Sequence, residues 1–265
     1  MTGTSMEQLL QELMQSADNT TTMTEDWSQG RSAFGGISTA LAVTGIRKQL
    51  QDEPPMRSLL VSFIGPIGPG PVTVDATIQR QGKNVTQAQA SVISDGKVCL
   101  QAMGIFGQSR PGKVSATAPG IEPISRERGL DFSAHRKRLP AFLEKFEGYW
   151  MTDALPFSGN TDRHLNIWAR HRQDPVSFPV EKLVAIADVP PPVVLSWFET
   201  PPVPASSLTW ALEFVKPPAE IHSEWFYLDY EMEAAADGYS QQSGRIYSED
   251  GELCALSRQC MVYFG

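Results

Sequence analysis

The sequence predicts an α+β protein built from two antiparallel sheets, each wrapped around its own central helix. Three observations lead there. The first is an internal duplication. Ser58-Leu59-Leu60-Val61-Ser62-Phe63-Ile64-Gly65-Pro66 has a counterpart in Ser207-Leu208-Thr209-Trp210-Ala211-Leu212-Glu213-Phe214-Val215-Lys216-Pro217, each a strand that ends at a proline. The second is a repeated turn: Asp95-Gly96 and Asp250-Gly251 stand between β-rich runs at matching places. Asp-Gly is a strong hairpin signal, because glycine tolerates the positive φ of a type I′ turn. The third is a segment in each half whose apolar residues leave little polar surface, as a buried helix requires.

In the first half, Ile37, Ala40, Leu41, Val43, Thr44 and Ile46 predict a buried helix over about residues 36–50. Its only charges, Arg47 and Lys48, come at the end, where cations suit the helix dipole. Strands follow at roughly 56–65, 71–81, 83–94 and 97–107. In the second half, Ser177 is placed to cap a helix with Pro179 in its first turn. That helix runs through Leu183, Val184, Ile186 and Ala187 until Pro190-Pro191-Pro192 stops it. Strands are expected at about 206–215, 222–235, 242–249 and 252–264. Between the halves, residues 108–140 are rich in Gly, Pro, Ser and charge. The expected division is therefore residues 1–110, a linker over 111–140, and residues 141–265.

Composition narrows the function. With a formal net charge of -8, the chain lacks the basic surface that holds nucleic acid non-specifically. Arg136-Lys137-Arg138 is a short exception, read as a solvated helix start or as a contact for the phosphates of a nucleotide-bearing ligand. No apolar run reaches the roughly 18 residues of a membrane span, and residues 1–19 do not read as a secretory signal. Cys99, Cys254 and Cys260 have no metal spacing and suit a reducing, cytoplasmic compartment. His135, His164, His171 and His222 form no paired-ligand pattern, so no metal is expected. The G-x-S-x-G elbow of serine hydrolases is absent, as are the glycine-rich loops of nucleotide-binding folds.

Several segments resemble the type II acyl-CoA thioesterases. In the first half these are Trp27-x6-Phe34-Gly35-Gly36, Phe63-Ile64-x-Pro66-x-x-x-Gly70-Pro71 and Arg80-x-Gly82-Lys83. In the second they are Ile167-Trp168-Ala169-Arg170, the helix end from Leu183 through Asp188 to Pro192, and Ala236-Asp237-Gly238. Asp250-Gly251-x-Leu253-x-Ala255-x-Ser257-x-Gln259 completes the series. The resemblance covers about residues 23–107 and 142–264. It implies a double hotdog and acyl-CoA as substrate; the first reading of the chemistry is hydrolysis by water attack, and no cofactor is expected. Fold alone does not settle chemistry.

In the resembled family a carboxylate, a hydroxyl and a glutamine hold the attacking water. Gln259 matches the glutamine, and strand alternation puts it on one face with Ser257 and Met261. Where the family has an aspartate after leucine, this chain has Thr209, which orients water but is no base near neutral pH. Spacing puts Glu231 or Glu233 near the hydroxyl position, so Glu231 is the expected base, provided a hydrophobic pocket raises its pKa. Glu213 is a further acidic candidate. Gly35 and Gly36 open the buried helix, so the Gly36 amide is expected to face a thioester oxygen. Trp27, Phe34, Trp197 and Trp210 are candidate acyl-cavity walls, although such rings also serve as plain core. The rival reading, motivated by Thr209, is a catalytically lapsed hotdog that binds acyl-CoA. The outer sheet edges leave room for a homodimer.

Overall fold

The computed structural model describes residues 3–52, 54–116, 118–134 and 139–265. Arg136-Lys137-Arg138 and His135 lie outside the described residues. In chain order the elements begin with α1 (Met6–Gln15), β1 (Thr20–Met23), a small hairpin of β2 (Ser28–Gln29) and β3 (Ser32–Ala33), and α2 (Gly35–Arg47). The first meander is β4 (Met56–Phe63), β5 (Gly70–Gln81), β6 (Val85–Ser94) and β7 (Lys97–Gly107). Then come β8 (Leu130–Asp131), β9 (Phe146–Trp150), β10 (His164–His171) and α3 (Pro179–Ala187). The second meander is β11 (Ala205–Phe214), β12 (Phe226–Ala236), β13 (Tyr239–Ser248) and β14 (Leu253–Tyr263).

The expected pair of sheets is corrected to one. Among the described residues, all strands but the β2–β3 hairpin join one 12-stranded sheet in the order β1-β5-β6-β7-β4-β11-β14-β13-β12-β10-β9-β8. Each meander leaves its first strand as an edge, and an edge is a row of unpaired N–H and C=O groups. The two edges satisfy each other: β4 and β11 pair antiparallel, with Val61 opposite Trp210 and Leu59 opposite Leu212. The duplication is thus written into the sheet as β5-β6-β7-β4 followed by its mirror order β11-β14-β13-β12.

Residues Gly36–Ile46 of α2 are all buried, as are Glu181 and Leu183–Ala187 of α3. The helices lie side by side and antiparallel. At one end, a Cβ on Gly36 would sit 3.0 Å from the Ala185 Cα. At the other, the Arg47 guanidinium donates to both Glu181 carboxylate oxygens at 2.9 and 2.7 Å, and Thr44 donates to Oε1 at 3.0 Å. Ser177 does not cap α3; its hydroxyl bonds Glu7 instead, and Phe178 holds the cap position without a side-chain bond.

Three features differ from the sequence expectation. Residues 6–15 form α1, closed by a capping box in which Gln8 N–H donates to Ser5 Oγ and Ser5 N–H to Gln8 Oε1. Its Met6, Leu9, Leu10 and Leu13 are buried, each worth about 1.5–3 kcal/mol. The matching Asp-Gly turns also differ in conformation. Asp95 and Gly96 both take positive φ, 50° and 70°, whereas at the second place only Gly251 does, at 76°. The second half makes its two-residue turn at Asp237-Gly238, φ 53° and 78°. Finally, residues 121–131 are strapped to the second half. Trp168 Nε1 donates to the Ile124 carbonyl at 2.6 Å, and the Arg126 guanidinium lies 5.1 and 4.7 Å from the Trp168 and Trp225 rings.

Candidate functional site

The end of α3 and the beginning of α2 meet, and a carboxylate stands at the junction. Asp188, the C-cap residue of α3, accepts a hydrogen bond from Gln259 Nε2 at 2.8 Å and another from the Gly36 backbone N–H. The α2 N-terminus has no cap from its own Phe34. Asp188 therefore supplies from the second half the acceptor that the first half's helix lacks, with its charge at the positive end of that helix dipole. Gly35 explains why glycine stands there: a Cβ would lie 2.7 Å from Asp188 Oδ2 and 3.1 Å from the Phe63 ring.

Gln259 is delivered by β14. Its register partners are Trp210 on β11 and Gln242 on β13, so all three share the inner face. Gln242 Nε2 donates to Gln259 Oε1 at 2.9 Å, and the Val193 backbone N–H donates to Gln242 Oε1 at 3.1 Å. Nearby, Trp210 Nε1 donates to Ser257 Oγ at 2.9 Å, and the Tyr230 hydroxyl donates to the Ala187 carbonyl, bracing the last turn of α3.

Burial pushes the Asp188 pKa up to about 7, against the opposing pull of the Gln259 and Gly36 hydrogen bonds. The carboxyl is densely surrounded, yet the residue keeps a partly accessible surface. A carboxylate poised near neutrality, hydrogen-bonded to a fixed amide at a helix start, is equipped to take a proton from water.

The structure brings some of the expected site residues together and separates others. Gln259, Gly35 and Gly36 converge. The Gly36 N–H points at the Asp188 carboxylate. Thr209 is exposed, opposite Cys260 on the face away from Gln259. Plain strand alternation puts it there, since the neighbouring Trp210 is opposite Gln259 on the inner face, and before it comes a β-bulge between Ser207 and Thr209. It puts Ser207 opposite Met261, and so on the inner face with Gln259. Glu231 points away from the core, its carboxylate 4.0 Å from His164 Nε2 and its side chain 47% exposed. Glu233 is exposed and accepts from Ser243, and Glu213 is exposed. Trp27 and Phe34 are fully packed: Trp27 Nε1 bonds the Thr4 carbonyl, and Phe34 stacks on Phe142 at 4.0 Å. Trp197 is exposed.

Asp188 is the carboxylate that sequence reasoning passed over as a site residue. The signal is present in the helix end Leu183 to Pro192, which carries part of the family resemblance and the proline stop without a role being given to its aspartate. A carboxylate directly after a buried helix, followed by three prolines, is fixed in place by its neighbours. Ser207 was hidden by the bulge, which reverses strand alternation at one position.

Comparison with known proteins adds to this geometry. Family models described as the acyl-CoA thioesterase N-terminal and C-terminal domains match residues 23–107 and 121–263. No curated protein matches the sequence. Among solved structures, a conserved protein with hot dog fold from Alicyclobacillus acidocaldarius has TM-score 0.83 and 19% identity, covering 97% of this chain and 98% of that one. The tesB protein of Mycobacterium avium subs paratuberculosis has TM-score 0.71 and 16% identity, covering 97% and 98%. Acyl-CoA thioesterase II TesB2 from Mycobacterium marinum has TM-score 0.66 and 18% identity, covering 88% and 90%. At these identities the structural likeness establishes the fold.

Proposed function

Since the chain belongs to the acyl-CoA thioesterase family, with N- and C-terminal domains in order, we propose that it hydrolyses an acyl-CoA thioester with Asp188 as the general base. One observation carries this reading: the carboxylate bonded to Gln259 where α3 ends and α2 begins. Asp188 takes a proton from water, and the water oxygen attacks the thioester carbonyl carbon. The tetrahedral oxyanion forms near the positive end of α2, but not on the Gly36 N–H, which Asp188 engages in place of the thioester oxygen expected there. The intermediate then collapses with cleavage of the C–S bond. Asp188 returns its proton to the departing coenzyme A thiolate, and the products are a free acid and the thiol. Gln259 orients the water, helped by the Ser207 hydroxyl, which shares its face.

Thr209 and Glu231, the other residues first considered, face away from Gln259, so Asp188 takes the role given to Glu231. The rival reading of a catalytically lapsed binder rested on a missing carboxylate, and Asp188 removes that motive. Asp188→Asn is expected to lower kcat by about 10²–10⁴-fold against a panel of acyl-CoAs. In the native enzyme kcat/KM should rise with pH through about 7, as Asp188 ionises, and the variant should lose that limb. Turnover unchanged in Asp188→Asn would overturn the assignment.

The division into residues 1–110, a linker over 111–140 and residues 141–265 belongs to the same reading, supported by the mirrored strand order. A cytoplasmic location is supported by the free thiols of Cys99, Cys254 and Cys260. Among the described residues no helix is long and apolar enough to cross a membrane. A homodimer is supported by the outer face of the central strands. A groove of about 600 Å³ there, bordered by Leu60, Met103, Gln89, Gln101 and Gln241, has no carboxylate among its lining residues. On a chain of net charge -8, such a face, whose lining has Arg258 and no acidic residue, lacks the negative charge that would hold a second copy off.

A further inference from the structure

We propose that Gln242 is a positioning residue: it fixes the polarity of the Gln259 amide, so that Asp188 always meets an N–H and never a carbonyl oxygen. The proposal rests on the reading of Asp188 as the base and extends it to a residue that touches neither substrate nor carboxylate.

A glutamine amide has two orientations of nearly equal shape and opposite polarity. Only one of them lets Gln259 donate to Asp188; the other sets oxygen against oxygen. Both amides are buried, with Gln242 1% and Gln259 3% exposed, so bulk water cannot correct a wrong orientation. The direction is set from the far end. Val193 offers a backbone N–H, which can only donate, so Gln242 must turn Oε1 toward it at 3.1 Å. Gln242 then has only Nε2 left for Gln259, whose Oε1 accepts at 2.9 Å. Gln259 is left with Nε2, which reaches Asp188 Oδ1 at 2.8 Å. The ionised carboxylate at the other end is acceptor-only and demands the same direction.

The anchor is built into the sequence. Pro190, Pro191 and Pro192 carry no N–H, so Val193 is the first backbone donor after Val189. It opens a 3-10 turn, Val193–Trp197, that follows the proline run. On the sheet side, Gln242 and Gln259 are directly opposed in the β13–β14 register, which keeps the two amides within reach. The same short stretch of chain thus ends α3 at the carboxylate and, five residues later, supplies the donor that orients that carboxylate's partner.

The test compares native protein with Gln242→Met, Gln259→Met and the double variant. The Asp188 ionisation midpoint is followed by carboxyl ¹³C chemical shift and, separately, by the pH dependence of kcat on an acyl-CoA. Gln242→Met frees Gln259 to present its oxygen. The midpoint is expected to move upward by about one unit, with kcat down about tenfold and KM changed less than twofold. In the Gln259→Met background, adding Gln242→Met should move the midpoint no further, because Gln242 acts only through Gln259. A midpoint unmoved by Gln242→Met, or a further shift in the double variant, overturns the proposal. Should Gln242→Met not fold, Val193→Pro deletes the anchoring N–H while leaving both glutamines in place, and carries the same expectation. The ¹³C readout needs no turnover. A midpoint that moves in a protein without hydrolase activity therefore sustains the positioning role and refutes only the reading of Asp188 as catalytic base.

Discussion

Asp188 concentrates the chemistry and its cost in one side chain. Its folded-state pKa, raised to about 7, lies above the 3.8 of an unperturbed aspartate. Between those values the folded protein holds a proton that the unfolded chain has released, so the contribution to stability present at low pH is lost as pH rises through about 7. Asp188→Asn removes that dependence. The variant should melt several degrees above the native protein at pH 8, with the difference vanishing toward pH 4, as calorimetry at the two values can check. Gly35 is the complementary case. A methyl at 2.7 Å from Oδ2 must displace the carboxylate or tilt the helix start. Gly35→Ala is expected to lower kcat/KM at least tenfold, by the positional precision that catalysis demands; normal turnover in that variant would remove the carboxylate from the reaction.

The helices owe their placement to contacts at both ends. Asp188 ties the end of α3 to the start of α2, and the Arg47–Glu181–Thr44 cluster ties the other pair of ends. Glu181 is fully buried, and burial raises its pKa while Arg47 opposes the rise. Replacing such a pair with apolar residues is often neutral, but removing one partner is not. Glu181→Ala deletes two guanidinium bonds and leaves that charge at 11% side-chain exposure. A loss of about 3–5 kcal/mol is expected in urea unfolding. Activity should fall with it, because the same helix pair aims Asp188 at Gly36; a loss below about 1 kcal/mol would mean that packing alone holds the pair.

At the scale of the whole molecule, the site exists only where the two halves are joined. Gly35 and Gly36 come from the first, Asp188 and Gln259 from the second, and the β4–β11 seam holds the halves in register. The outer surface of that seam carries the groove without carboxylates, with Leu60 46% and Met103 43% exposed. If that face joins two copies, Leu60→Lys with Met103→Lys should convert a dimer to a monomer in light scattering while leaving kcat within about twofold, since both side chains face away from Asp188. A native protein monomeric at micromolar concentration would end the dimer reading.

The sequence by itself determined the duplicated meanders, the two buried helices and the common face of Ser257, Gln259 and Met261 on the last strand; which face is the inner one only the fold decided. Those features follow from local periodicity, turn chemistry and proline, which act within a few residues of one another. Helix α1 is equally local, written in Ser5, Gln8 and its leucines. What only the tertiary structure decided were matters of long-range pairing. Two sheets became one because each half's free edge strand found the other. Glu231 and Thr209 turned outward, and one bulge turned Ser207 onto the inner face. Asp188 was in view throughout as a helix end; it became a candidate base when chain folding brought it against a helix start 152 positions earlier in the sequence, where burial and two hydrogen bonds set its proton affinity.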